Sequence, residues 1–139
     1  MNDQAKIGTI MLVDDDKVDQ MMYKRVINRS GLVGKIIPFQ YPDEALAYLK
    51  TPDCDEIDVL LLDINMPRLT GFEFLERAIA EVGPAFAKVV VVMLTTSLDP
   101  SDKKRAASFS IVKAFHNKPI TVEDLVHISS LLPEPKSGA

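Results

Sequence analysis

Along residues 9–132, five short apolar runs alternate strictly with five stretches of helical periodicity. Strand then helix, repeated, implies a parallel sheet with helices packed on both faces, because parallel neighbours need a crossover and the helix supplies it. Residues 9–13 (TIMLV) read as a buried strand, and residues 17–29 carry Val18, Met21, Met22, Val26 and Ile27 at helical spacing, stopped by Ser30-Gly31. Residues 36–41 are strand-like, and Pro38 marks them as an edge strand. Residues 43–50 (DEALAYLK) form a short amphipathic helix ended by Thr51-Pro52. Residues 58–62 are the next strand, and residues 72–82 the next helix, closed by Gly83-Pro84. Residues 88–94 (KVVVVML) are almost continuously β-branched, which is the pattern of a central strand buried on both faces. Helix 101–109, strand 111–115 and helix 122–132 complete the series. The expected fold class is a doubly wound α/β domain over residues 9–132, with a lead-in of residues 1–8, a polar tail of residues 133–139 and no second domain.

Composition narrows the possibilities. A chain of 139 residues with 47% hydrophobic and 26% charged residues closes one core rather than two. A net charge of −4 argues against nucleic-acid binding as the main activity. The single basic run, Lys103, Lys104 and Arg105, reads as a solvated helix face. The apolar stretch 89–94 is too short to span a bilayer, and no signal-like segment opens the chain, so no membrane insertion is expected. Cys54 is the only cysteine, which leaves no intrachain disulfide or cysteine metal cluster and fits a reducing cytoplasm.

In a sheet of this kind ligands bind outside the carboxyl ends of the strands. Asp14, Asp15 and Asp16 follow the first strand, Asp63 the third, Thr95, Thr96 and Ser97 the fourth, and His116, Asn117, Lys118 and Pro119 the fifth. Carboxylates about 4 Å apart repel by about 4 kcal/mol at an effective dielectric near 20, so such a group needs either protons or a cation. All-oxygen ligands suit Mg²⁺ or Mn²⁺, which keep positions open for phosphate oxygens. A lysine and a hydroxyl on the same rim complete the requirements of phosphoryl transfer, with a carboxylate as nucleophile. Asp63 stands alone at the end of a central strand and is the candidate acceptor, whereas the adjacent Asp14 and Asp15 read as metal holders.

With "VDD" at residues 13–15, "DINMPRLTG" at 63–71, "LTTS" at 94–97 and "KP" at 118–119, the chain resembles the receiver domain of two-component response regulators. The resemblance covers nearly the whole chain. It implies a five-stranded sheet in the order 2-1-3-4-5, Asp63 as phospho-acceptor, and Asp14, Asp15 and the main-chain carbonyl of Asn65 as Mg²⁺ ligands. Thr95 and Lys118 correspond to the phosphate-contacting switch hydroxyl and lysine, and the Lys118-Pro119 peptide is expected to be cis. The implied phosphodonor is a histidine kinase or histidine phosphotransfer protein, and the implied role is signalling rather than enzymatic turnover. An unknown downstream protein target and a possible homodimer go with that role. Side chains at Asn65 and Ser97 influence acyl-phosphate lifetime in the family. Two positions depart from the common pattern: Phe115 stands where many members carry Tyr, and "SFSIVKA" replaces the usual Gly-Ala ahead of strand five. In the switch expected here, phosphorylation draws Thr95 inward and vacates space into which Phe115 turns.

Rival classes leave distinguishable traces. A haloacid-dehalogenase-like hydrolase wants an acid two residues after its nucleophile, and Asn65 occupies that place. A flavodoxin-like cofactor protein wants a Ser/Thr/Gly cradle in the first turn, where this chain has three aspartates. Turnover of a small phosphate ester would favour the former, and a coloured protein the latter. His127 reads as an ordinary helix residue, His116 as a loop residue, Cys54 as a spacer in a connecting loop, and Met21 and Met22 as core and rim.

Overall fold

The computed structural model describes residues 6–96 and 99–133. Five strands, β1 (Ile7–Val13), β2 (Val33–Phe39), β3 (Val59–Asp63), β4 (Val90–Thr95) and β5 (Val112–Asn117), form one parallel sheet in the order β2-β1-β3-β4-β5. Helices α1 (Lys17–Ser30), α2 (Pro42–Leu49), α3 (Gly71–Val82), α4 (Pro100–Ala107) and α5 (Val122–Ser130) connect or follow them. The expected class and strand order are therefore found.

The sheet divides the apolar interior into two layers. Met11, Val13, Leu60, Leu62, Val91 and Met93 meet α2, α3 and α4 through Leu46, Phe74, Leu75 and Ala106. Ile10, Leu12, Val59, Leu61, Val92 and Leu94 meet α1 and α5 through Tyr23, Ile27, Leu125 and Ile128. Every residue of β3 and β4 is buried, as their unbroken apolar runs require when both faces are covered. Pro38 lies in β2 at the edge of the sheet, where a missing amide is tolerated.

Several boundaries move for local reasons. β1 begins at Ile7 rather than residue 9, because the Ile7 side chain is fully buried and its amide donates to Leu32 O. Residues 7–8 thus belong to the sheet and not to a lead-in. β2 starts three residues earlier than periodicity indicates, and Gly83–Lys88 forms a 3-10 turn that sequence reasoning missed. α4 stops at Ala107, freeing Phe109 to stack on Phe72 with ring centroids 6.0 Å apart. β5 runs on to Asn117, so His116 is a strand residue, not a loop residue. It is half-buried, with Nδ1 3.5 Å from Asp124 Oδ1 and its ring 6.0 Å from that of the exposed His127. Cys54 sits in the loop between α2 and β3, with Sγ 3.8 Å from Leu49 O.

The largest correction concerns α1. Its buried residues are Gln20, Tyr23 and Ile27, while Val18, Met21 and Met22 are exposed. Met21 and Met22 are therefore not core. The helix is rotated so that polar-tipped side chains reach the strand ends. Gln20 Nε2 donates to Asp14 O and Phe39 O, pinning α1 to β1 and β2 at once.

Gly71 opens α3 against the end of β3, and a Cβ there would lie 2.6 Å from Asp63 O and 3.0 Å from Ile64 Cα. Its amide donates to Ile64 O, and Thr70 and Glu73 close a reciprocal capping box beside it. The Asp63-bearing loop can fold back this tightly only with glycine at that position. Gly71→Ala is expected to destabilise the protein by about 1–3 kcal/mol, since backbone rather than a flexible side chain must yield. Chemical denaturation would register the loss, and an unchanged midpoint would contradict the packing described.

Candidate phosphoryl-acceptor site

Four strand ends build the site. β1 delivers Asp14 and Asp15, β3 ends in Asp63, β4 ends in Thr95, and Lys118 follows β5. Parallel register places Asp63 opposite Leu94 and Thr95 opposite Asn117, so all these residues lie on one rim. The three neighbouring aspartates divide their work. Asp16 turns away and caps α1 through Val18 N and Asp19 N, while carboxylate oxygens of Asp14, Asp15 and Asp63 lie within 4.8 Å of one another.

Asp14 is fully buried and held on both oxygens. Oδ1 accepts from Asp16 N at 2.9 Å, and Oδ2 accepts from Tyr23 Oη at 2.5 Å and from Lys118 Nζ at 2.9 Å. The ammonium of Lys118 also lies 2.8 Å from Asp19 Oδ2 and 3.1 Å from Asp63 Oδ1. Its three N–H groups thus face three carboxylates. Lys118-Pro119 is cis, as the resemblance implies. Asn65 N approaches Asp63 Oδ1 at 3.4 Å, and the Asn65 side chain is exposed. Thr95 is fully buried at the strand end, and the Lys118 amide donates to its carbonyl. Phe115 is half-buried in β5, opposite Met93, and packs against the layer that holds α4. Ser97 lies outside the described residues.

These contacts set the protonation equilibria. Burial first, and then the charge of Asp14, push the Asp63 carboxyl up to about 6, against the lowering pull of Lys118. Burial and Asp14 likewise raise Asp15. Burial opposes the charge on Lys118, but its bonds to Asp19 and Asp14, with the charges of Asp14 and Asp63, outweigh that and hold it above its ordinary value. Burial and the bond to Asp14 raise the Tyr23 phenol, which therefore stays a donor. One lysine does not neutralise the surrounding carboxylates. The donor set is all oxygen, without histidine or cysteine, and its spacing fits a hard divalent cation such as Mg²⁺ or Mn²⁺.

Sequence reasoning brought together Asp14, Asp15, Asp63, Thr95 and Lys118, and the structure unites them. It missed Asp19, Gln20 and Tyr23. The available signal was the i, i+4 relation of Asp19 and Tyr23, which puts them on one face of α1. That signal was masked by the competing apolar pattern of Val18, Met21 and Met22.

Comparison with known proteins agrees with this geometry. Residues 10–129 match the response regulator receiver domain. The chain is 31% identical over 119 residues to the probable methanogenesis regulatory protein FilR2 of Methanothrix harundinacea, covering 84% of this chain and 75% of that protein. It is 29% identical over 120 residues to the putative two-component response regulator ARR13 of Arabidopsis thaliana, covering 86% of this chain but only 20% of the plant protein. A crystal structure of a two component response regulator from Cytophaga hutchinsonii superposes with a TM-score of 0.84 at 25% identity, covering 90% of this chain and 96% of that one.

Because the folded state raises the Asp63 pKa from 3.8 to about 6, it holds that proton more tightly than the unfolded chain does. The corresponding stability is full below pH 4 and is lost as pH rises through 6. Metal-free Asp63→Asn is therefore expected to exceed the parent in stability above pH 7, by at most about 3 kcal/mol. The gap should close toward pH 4. Thermal melts across that range in chelator would measure it, and a gap independent of pH would contradict the assignment.

Proposed function

The chain belongs to the response regulator receiver domain family, and on that premise we propose that it accepts a phosphoryl group on Asp63 and signals through the resulting change of surface. The observation that carries this reading is the meeting of Asp14, Asp15 and Asp63 with Lys118 at the carboxyl rim of the sheet. Asp14, Asp15 and the main-chain carbonyl of Asn65, with Asp63, would hold Mg²⁺ or Mn²⁺, which when bound offsets charge on the transferring group. Asp63, fixed at the end of a fully buried strand, contributes the attacking oxygen. A P–O bond forms to Asp63 as the P–N bond to a phosphohistidine donor breaks, and the donor imidazole leaves. Lys118 pairs with one phosphoryl oxygen, and Thr95 donates a hydrogen bond to another.

A histidine kinase or histidine phosphotransfer protein is the proposed donor, and a protein is the proposed recipient of the signal. The proposed site of action, in keeping with that donor, is the cytoplasm; no helix among the described residues is long and apolar enough to cross a membrane. Residues 7–132 act as the receiver unit, and self-association is a compatible extension of that role. Regulation runs through Thr95 and Phe115. When Thr95 engages the phosphoryl group, Phe115 moves deeper into the layer it already touches. The phosphoryl group drives this only by its preference for one of the two packings.

Intact-mass spectrometry after incubation with acetyl phosphate and Mg²⁺ is expected to show gain of one phosphoryl group. Chelator or Asp63→Asn should abolish it, and labelling that persists in Asp63→Asn would overturn the reading. For the switch, aromatic NMR signals of Phe115 should move on addition of an acyl-phosphate mimic, and unchanged signals would exclude this route.

A further inference from the structure

The least buried partner of Lys118 has no part in the chemistry described so far. Asp19 lies in the first turn of α1, yet its carboxylate contacts a lysine 99 residues away at 2.8 Å. Side-chain exposure orders the ionic chain from outside to inside: 27% for Asp19, 9% for Lys118 and 5% for Asp63. Placed end to end, the two ionic contacts put Asp19 Oδ2 within about 6 Å of Asp63 Oδ1. Asp19 and Lys118 also share the wall of a cavity of about 250 Å³, with Tyr23 and Thr96, beside the acceptor. An incoming phosphoryl group must therefore take Lys118 from a competing carboxylate and approach a fixed negative charge that does not react.

A first-turn acid is ordinarily explained by the helix dipole. Here Asp16 already caps the helix, and the Asp19 side chain is turned to Lys118 instead.

We propose that Asp19 is a specificity-determining residue of the acceptor site, making it discriminate between phosphodonors by charge and disfavour dianionic donors relative to monoanionic ones. The inference rests on the phospho-acceptor reading above and deepens it. Acetyl phosphate, a dianion near neutrality, and phosphoramidate, a monoanion, separate the effect. With the first, the P–O bond to acetate breaks as the P–O bond to Asp63 forms, and acetate leaves. With the second, the P–N bond breaks, and ammonia leaves from an already protonated nitrogen. Both reactions end in the same acyl phosphate, so a purely structural role for Asp19 would alter both rates alike.

The test is the second-order rate constant of each donor at saturating Mg²⁺, read by intact mass, for the parent, Asp19→Asn, Asp19→Ser and Asp19→Glu. Removing one charge roughly 7 Å from the donor should raise the acetyl phosphate to phosphoramidate rate ratio about twofold to fourfold at low ionic strength. The gain should fade in high salt. Asn and Ser should shift the ratio in the same direction, and Glu should leave it at the parent value. A ratio unchanged in Asn and Ser while the parent reacts with both donors would overturn the role of Asp19 and leave the acceptor reading intact. A shift in Asn without one in Ser would assign the effect to shape and overturn the charge mechanism. Failure of the parent to react with either donor would overturn the acceptor reading and this inference together.

Discussion

One ammonium group holds the carboxyl rim of this molecule together. Lys118 Nζ stands between Asp14, Asp19 and Asp63, and without it several carboxylates would share a poorly solvated space with no compensating charge. Breaking such a group by removing one partner typically costs about 3–5 kcal/mol, because the remaining charges stay behind unpaired. The balance is deliberately incomplete. Lysine supplies one positive charge against several negative ones, and burial first, with the charge of Asp14 behind it, displaces Asp63 and Asp15 upward. The spacing of these oxygens suits a hard divalent cation, which in the proposed reaction would offset the charge around Asp63 as it attacks.

The sheet exists, in functional terms, to hold that imbalance still. β3 and β4 are buried along their entire length, so Asp63 and Thr95 are carried on strands covered on both faces. Gly71 then opens α3 where any Cβ would stand 2.6 Å from the Asp63 carbonyl oxygen. α1 is recruited from the opposite layer by Gln20 and Tyr23, whose polar tips end on Asp14 and its backbone. Packing and electrostatics are thus one arrangement: the helix that covers the Ile10 and Leu12 face also supplies donors to the acidic rim.

Much of this was legible before any coordinates. Alternating periodicities specify the parallel sheet, because an amphipathic helix between two β-rich runs has few other ways to bury its face. Asp14, Asp15, Asp63, Thr95 and Lys118 were recoverable because each closes a strand or comes just after one, and the ends of parallel strands share one side. What stayed hidden depended on helix rotation. On α1, Val18, Met21 and Met22 suggest one buried face, whereas hydrogen bonds and ion pairs to the rim turn Gln20 and Tyr23 inward and leave those apolar residues exposed. Periodicity records hydrophobicity and is blind to a phenol whose ring is buried and whose hydroxyl finds a carboxylate. Asp19 was missed for the same reason, and His116 because β5 extends two residues past the strand end expected at residue 115.

The charge deficit at the rim is the claim on which the account stands, and the carboxyl carbon of Asp63 reports it directly. A ¹³C NMR titration of selectively labelled protein should give a pKa near 6 in chelator, falling below the ordinary aspartate value when Mg²⁺ is added. An Asp63 that titrates near 4 in chelator and ignores Mg²⁺ would contradict it.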